Sequence, residues 1–272
     1  MTRAVGSDAP IQWYPGHMVK AMRRLEADVA AADAIVEVVD ARVPYSGGNP
    51  TLAKLAGRRP RLLVLSREDL ADPTLTNAWL ERIRASGREA LAIEGKTRGS
   101  GVHLREALLR IVPVATTRVM RAIVVGIPNA GKSTVINALV GRNVARVEDR
   151  AGVTRQAQWF RVTPALEVMD TAGILVPKIA TPAAQWKLAV VGAVPRMRFD
   201  AEEVAAKFAV WAAERLPQAV PDLETFAHER GFVRRGNLAD LHNASWAYLK
   251  DVGDGRFGRI TLEIPHLDAE DA

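Results

Sequence analysis

Cysteine is missing from all 272 residues, so disulfides and thiolate metal sites are excluded. Such a chain suits a reducing compartment, and a cytoplasmic location is the expectation. Long apolar runs are missing as well: stretches such as AIVEVV from Ala34 and AIVVGI from Ala122 are strand-sized, whereas a membrane helix needs roughly 20 residues. No membrane partner is expected. The opening MTRAVGSDAPIQW lacks the apolar centre of a secretion signal and is too short and acidic for a transit peptide. There is no internal repeat and no low-complexity linker, so the length calls for one large or two ordinary domains.

What is present is apolar content of 48%, enough for a proper core, and an uneven charge. Residues 1 to 178 carry 26 Lys and Arg against 17 Asp and Glu, while 179 to 272 carry 11 against 14. The first part is therefore strongly basic and the second slightly acidic. A pI near 9.9 suits a polyanionic partner, because cationic surfaces gain affinity by releasing phosphate counterions. It equally suits an arginine-rich bias that only keeps the protein soluble.

Through the first 170 residues, apolar β-branched runs alternate with helix-period segments. AIVEVVD (34 to 40), RLLVLS (61 to 66), ALAI (90 to 93), RAIVVG (121 to 126) and ALEVMD (165 to 170) read as buried parallel strands. NAWLERIRASG from Asn77 and VHLREALLRIV from Val102 are long enough for crossover helices, which predicts a doubly wound α/β domain. After Pro177 the spacing is helical throughout, with Asp200 as an N-cap for DAEEVAAKFAVWAAERL. A second, mainly α-helical domain is expected over 179 to 272, following an α/β domain over 1 to 178.

GIPNAGKST, residues 126 to 134, holds G-x-x-x-x-G-K-S between a strand and a helix. In that loop successive backbone N–H groups cradle phosphate oxygens, here from Asn129 and Ala130 to Gly131, Ser133 and Thr134. Lys132 reaches the β- and γ-phosphates, and the Ser133 hydroxyl meets magnesium. DTAG at 170 to 173 follows a strand, offering Asp170 to the magnesium shell and the Gly173 N–H to the γ-phosphate. AGVT places Thr154 where a switch loop supplies a magnesium ligand.

A guanine site also needs an element like N-K-x-D at a strand end, whose Asp accepts both hydrogens of the guanine edge, and a later loop that touches the base. Here RLLVLS ends in SRED, Ser66 to Asp69, with Arg67 in the second place, and ALAI is followed by EGKTRGSG from Glu94 and Gly95. Both elements lie upstream of the phosphate loop. Loops at the carboxyl ends of parallel strands meet wherever the chain is cut, so the order reads as a circularly permuted P-loop G domain with a mostly parallel sheet.

WYPGHMVKAM, DARVPYSGGNP, SREDL, GIPNAGKST, AGVT, DTAGI and the closing GRFGRITLE together resemble the circularly permuted GTPases of the YlqF type, the ribosome biogenesis GTPase A family. The likeness covers nearly the whole chain. It implies a cytoplasmic enzyme that binds GTP or GDP with magnesium and hydrolyses GTP, slowly alone and faster on its partner. That partner is the large ribosomal subunit with its RNA, rather than DNA, and the free protein is monomeric. The helical C-terminal domain helps to bind ribosomal RNA.

Three departures stand out: SRED for N-K-x-D, DTAG for D-T-P-G, and AGVT for P-G-x-T. Asp69 keeps the bidentate acceptor and Arg67 has a stem to lie over the base, while Ser66 is expected to lose the amide that braces loop and base. Ile174 stands where many GTPases have a water-orienting glutamine. His17 resembles the histidine that the family uses instead, although a histidine beside a Pro-Gly turn also serves as a structural cap. Asn129 resembles the asparagine with which related GTPases bind potassium, and otherwise only braces its own loop.

Outside the nucleotide motifs, Trp13, Tyr14, Lys20, Arg23 and Arg24 suit RNA contact or packing on the G domain. Arg230, Arg234 and Arg235 form the best basic cluster of the helical part. Trp186, Trp211 and Trp246 read as core. Two functions remain: a GTP-switched assembly factor, or an RNA-binding scaffold whose nucleotide site is weak or unselective because of SRED.

Overall fold

The computed structural model describes residues 15–95, 97, 99–112, 118–144, 158–171, 181–216 and 219–266, with side chains from Met22 onward. Packing divides them into two units: residues 15–171 with 261–266, and residues 181–260. The expected boundary at 178 falls outside the described residues.

The first unit is built on a six-stranded sheet. In chain order it runs α1 (Pro15–Ala30), β1 (Ala34–Asp40), α2 (Pro50–Ala56), β2 (Arg61–Ser66), α3 (Pro73–Ala85), β3 (Glu89–Ile93) and α4 (Ser100–Ile111). It continues with β4 (Met120–Val125), α5 (Lys132–Val140), β5 (Gln158–Thr163) and β6 (Leu166–Asp170). The strands lie side by side as β3-β2-β1-β4-β6-β5. All neighbours are parallel except β5, which runs antiparallel to β6. The five apolar runs read from the sequence are the five parallel strands. The edge strand β5 was not among them: its QWFRVT mixes apolar and polar residues and is half-exposed, so it shows neither a buried run nor a clean alternation.

Alternation along the strands splits the core between two faces. On one face Leu25 and Val29 of α1 and Leu52 and Ala56 of α2 pack on Ile35, Ile123, Val125 and Met169. Beside them Trp79, Leu80 and Ile83 of α3 pack on Val39, Leu63, Leu65 and Ala90. α3 begins four residues before the run at Asn77, because Asp72 caps it: Oδ1 accepts from Leu75 N at 2.8 Å and Pro73 opens the helix. On the other face α4 and α5 cross closely. A Cβ on Gly101 would lie 1.9 Å from the carbonyl oxygen of Ala138, so only glycine permits the approach.

The second unit is mainly helical, with α6 (Pro182–Val190), α7 (Ala201–Arg215), α8 (Leu223–Glu229), the two-residue hairpin strands β7 (Val233–Arg234) and β8 (Leu238–Ala239), and α9 (Leu241–Gly253). Asp200 caps α7 as the sequence indicates, Oδ1 accepting from Glu202 N at 2.8 Å. Phe208, Tyr248 and Phe226 form the buried centre, ringed by Trp211 and Phe257. Trp186 and Trp211 lie 6.4 Å apart, and Trp246 lies 5.5 Å from Phe199, so all three tryptophans join aromatic clusters. The arginine cluster is not a field of open charge: Arg230 pairs with Asp251 at 2.9 Å and Arg234 with Asp240 at 2.8 Å. After Ile260 the chain leaves this unit, and Thr261 to Glu263 hydrogen-bond within the sheet unit.

Candidate functional site

β4 lies between β1 and β6, and its last residue Val125 is buried. The loop that follows is fixed by close packing. A Cβ on Gly126 would meet the Val38 carbonyl oxygen at 2.3 Å. Asn129 and Gly131 then take left-handed conformations, φ 58° and 87°, which turn the chain into α5 with Gly131 as its N-cap. These turns bring the loop to the N-terminus of α5, whose positive end and first N–H groups favour an anion.

Lys132 opens α5 and is 8% exposed. Its Nζ donates to the carbonyl of Ile127 at 2.9 Å. Burial pushes its pKa down to about 8, against the opposing pull of the Asp170 carboxylate. A buried ammonium whose charge is penalised by desolvation is stabilised by an anion beside it, and phosphate is such a partner.

Asp170 ends β6, next to β4, with Val124 as its register partner. It is 6% exposed, and its neighbour Thr171 fixes the turn by donating from Oγ1 to the Val124 carbonyl at 2.7 Å. Among the described residues no group of three His, Cys, Asp or Glu side chains is placed to hold a metal alone. A buried carboxylate at the end of β6 and a half-buried Ser133 hydroxyl at the head of α5 are nevertheless donors of the kind that suits magnesium. That ion prefers hard oxygen donors and completes its shell from phosphate and water. Thr154, Gly173 and Ile174 lie outside the described residues.

The second loop of the site follows β2. Ser66 is 3% exposed and donates from Oγ to the carbonyl of Ala130 at 2.6 Å, with Val39 O a further 3.2 Å neighbour. The expected loss of the brace is therefore corrected as far as the loop is concerned, because the shorter side chain still spans to the phosphate loop. Gly131 leaves room beside it: a Cβ built there would stand 3.2 Å from Ser66 Oγ, a tight contact. Arg67 is left-handed at φ 56° and starts the single 3-10 turn Glu68–Leu70 that holds Asp69 on the exposed surface. Its guanidinium stands 3.7 Å from the Asp40 carboxylate. In the third loop, after β3, Glu94 is exposed, and Gly95 abuts Thr134, where a Cβ would come within 2.4 Å of the threonine methyl.

Ser66, Arg67, Asp69, Glu94, Gly95, Asn129 to Thr134 and Asp170 are thus all carried at the carboxyl ends of β2, β3, β4 and β6. Ligands bind there in open parallel sheets. His17 falls in the first turn of α1, its side chain outside the described residues. The sequence reading gave no role to Asp40 and Arg42. Asp40, 1% exposed, accepts from Arg42 N at 3.0 Å, Nε at 2.9 Å and Nη2 at 2.8 Å. Burial alone would raise its pKa, but the guanidiniums of Arg42 and Arg67 hold it below the ordinary carboxylate value. The signal was a carboxylate closing a fully buried strand, with Arg42 two residues on.

A family profile described as 50S ribosome-binding GTPase matches residues 121–209, starting at the strand that leads into the phosphate loop. The chain is 33% identical to Ribosome biogenesis GTPase A of Bacillus cereus, over 94% of this chain and 94% of that protein. It belongs to the ribosome biogenesis GTPase A family. The member from Thermotoga maritima is 30% identical over 94% and 95% of the two chains. Two solved structures have a similar fold: GDP-bound TM YlqF, with TM-score 0.73 and 27% identity over 90% of this chain and 100% of that one, and GNP-bound YlqF from T. maritima, with TM-score 0.71 and 26% identity over 90% and 98%. Family and fold together make this chain a GTPase with a guanine nucleotide as ligand, on a circularly permuted G domain followed by a helical C-terminal region.

Proposed function

We propose that the protein is an assembly factor for the large ribosomal subunit, in which the bound nucleotide controls association and release. The GTP form binds the subunit and its RNA, hydrolysis is slow until the subunit is engaged, and the GDP form leaves. The observation that carries this reading is the Ser66 to Ala130 hydrogen bond at 2.6 Å, which ties the base-reading loop to the phosphate loop, so base and phosphates are gripped by one connected structure.

In this reading Asp69 accepts the guanine edge, Arg67 flanks the base, Glu94 and Gly95 close the base pocket, and Lys132 neutralises the β- and γ-phosphates. Ser133, Thr154 and Asp170 hold magnesium, which neutralises phosphate charge when bound, and Asn129 offers an oxygen to potassium. Gly173 meets the γ-phosphate. His17 orients the attacking water in place of the glutamine that Ile174 replaces. Residues 179 to 272 serve as the RNA and ribosome module, and the protein is cytoplasmic and monomeric when free. Support comes from its similarity to ribosome biogenesis GTPase A proteins and to the 50S ribosome-binding GTPase profile, and from the basic excess of residues 1 to 178.

Sedimentation of large subunits with the protein tests this, in GDP and in a non-hydrolysable GTP analogue. Enrichment on the subunit only with the analogue is the expected result. Association indifferent to nucleotide would replace the switch by an RNA-binding scaffold.

A further inference from the structure

The last described stretch of the chain is tied to the loops around the base site. Thr261 and Glu263 are 3% and 0% exposed. Thr261 Oγ1 accepts from the backbone N–H of Asp72 at 3.0 Å. The Glu263 carboxylate accepts from the backbone N–H groups of Tyr45 at 2.7 Å and Ser46 at 3.2 Å, and its carbonyl accepts from Trp79 Nε1 at 3.0 Å. Between them, Leu262 N donates to the carbonyl of Arg42 at 2.8 Å.

These partners bracket the SRED loop. Asp72 closes that loop and caps α3. Arg42 holds Asp40, toward which Arg67 of the loop extends. Ser66 anchors the loop's start on Ala130, and Thr261 anchors its end. The stretch between has one 3-10 turn as its internal order, and Asp69 rides on it exposed. Two-point recognition of a base edge needs the carboxylate held to within about half an ångström, so its placement depends on these anchors.

We propose that Thr261, supported by Glu263, is a positioning residue for base recognition: a latch from the far end of the chain fixes the loop that carries Asp69. The proposal rests on the reading of Asp69 as the guanine acceptor. Without the latch the loop loses the anchor at its end, and the extra order that the base must then impose is charged against base-dependent affinity. The phosphate loop is braced within itself by the Lys132 bond to the Ile127 carbonyl, so phosphate-dependent affinity should hold.

The test compares full-length wild type, Thr261→Val, Thr261→Ser and Glu263→Gln by competition with GDP, IDP and pyrophosphate. IDP lacks the exocyclic amine that Asp69 reads. Wild type should prefer GDP to IDP. Thr261→Val keeps the side-chain shape but loses the acceptor, and should weaken GDP roughly three- to ten-fold, the effect of one hydrogen bond. IDP should weaken less and pyrophosphate not at all. Thr261→Ser should restore the ratio. Glu263→Gln should lower the same ratio, and it decides the matter should Thr261→Val fail to fold. A selective wild type with unchanged ratios in the variants overturns the latch alone, as does an equal loss for GDP and pyrophosphate. A wild type that binds GDP and IDP alike overturns the Asp69 reading and the latch with it.

Discussion

The hydroxyl of Ser66 donates to the main-chain carbonyl of Ala130 at 2.6 Å, joining two loops 64 positions apart in sequence. Gly131 leaves room beside the serine. Ser66→Ala removes the donor and leaves a buried carbonyl with one partner fewer, a loss of about 1 kcal/mol, or roughly five-fold in affinity. Ser66→Asn retains a donor and adds another for the loop, and should tighten GDP. Calorimetric titration of GDP into both variants checks this, and an alanine variant with wild-type affinity would show that the bond does not shape the site.

Lys132 supplies a second prediction with a pH signature. Lys132→Ala should abolish tight triphosphate binding, since it removes the mobile cation of the phosphate loop; unchanged affinity would overturn that assignment. In the nucleotide-free protein burial holds the ammonium at about 8, below its ordinary 10.5. The unfolded chain therefore binds more protons between those values, and stability rises as pH climbs through that window. The penalty is fully present below pH 8, on the order of 3 kcal/mol. Bound phosphate favours the charged form, so GTP binding should take up a proton at pH 8 to 9 and weaken above it. Calorimetry in buffers of different ionisation enthalpy reads that proton directly, and binding heats independent of buffer would refute it.

Much of this architecture was legible in the sequence because its strands are buried on both faces. Such strands read as nearly continuous apolar runs, and AIVEVVD fills β1 from end to end with every residue buried, Glu37 and Asp40 included. The motif order then gave the permutation, since each motif needs a particular strand end. What stayed hidden depends on long-range partners. β5 is an edge strand without a period, α3 starts where a capping aspartate places it, and the grip of Glu263 on Tyr45 spans 218 positions. The Ser66 brace was misjudged for a related reason. The residue type showed only that an amide is lost, whereas the hydroxyl finds its acceptor on Ala130, 64 positions away.

His17→Ala should lower turnover on the ribosomal subunit several-fold or more while leaving GTP affinity intact. Orienting a water matters in the transition state, and so the loss falls on kcat rather than on ground-state binding. Single-turnover hydrolysis with and without subunits, set beside equilibrium nucleotide binding, separates the two. Normal turnover in the variant would make His17 a helix-start residue only.

Guanine should remain preferred over adenine, but by less than an N-K-x-D protein achieves. Asp69 carries most of the discrimination: its two oxygens match the N1 hydrogen and exocyclic amine of guanine. Adenine presents a lone pair at N1 and no amine, leaving the carboxylate desolvated and unpaired. That mismatch costs about 1–3 kcal/mol per unsatisfied group, and more for a charged one. Against it stands the replacement at Ser66, worth about 0.5–1.5 kcal/mol, and that difference is reduced further because the serine keeps its bond to Ala130. The Asp69 contribution should therefore win. Competition of labelled GDP by GDP, ADP and XDP decides it: ADP as effective as GDP would end guanine specificity. XDP should be the weakest purine of the three, because its second carbonyl meets the Asp69 carboxylate oxygen to oxygen. Asp69→Asn should reverse that order toward XDP, since an amide can donate to the new carbonyl where the carboxylate could only accept.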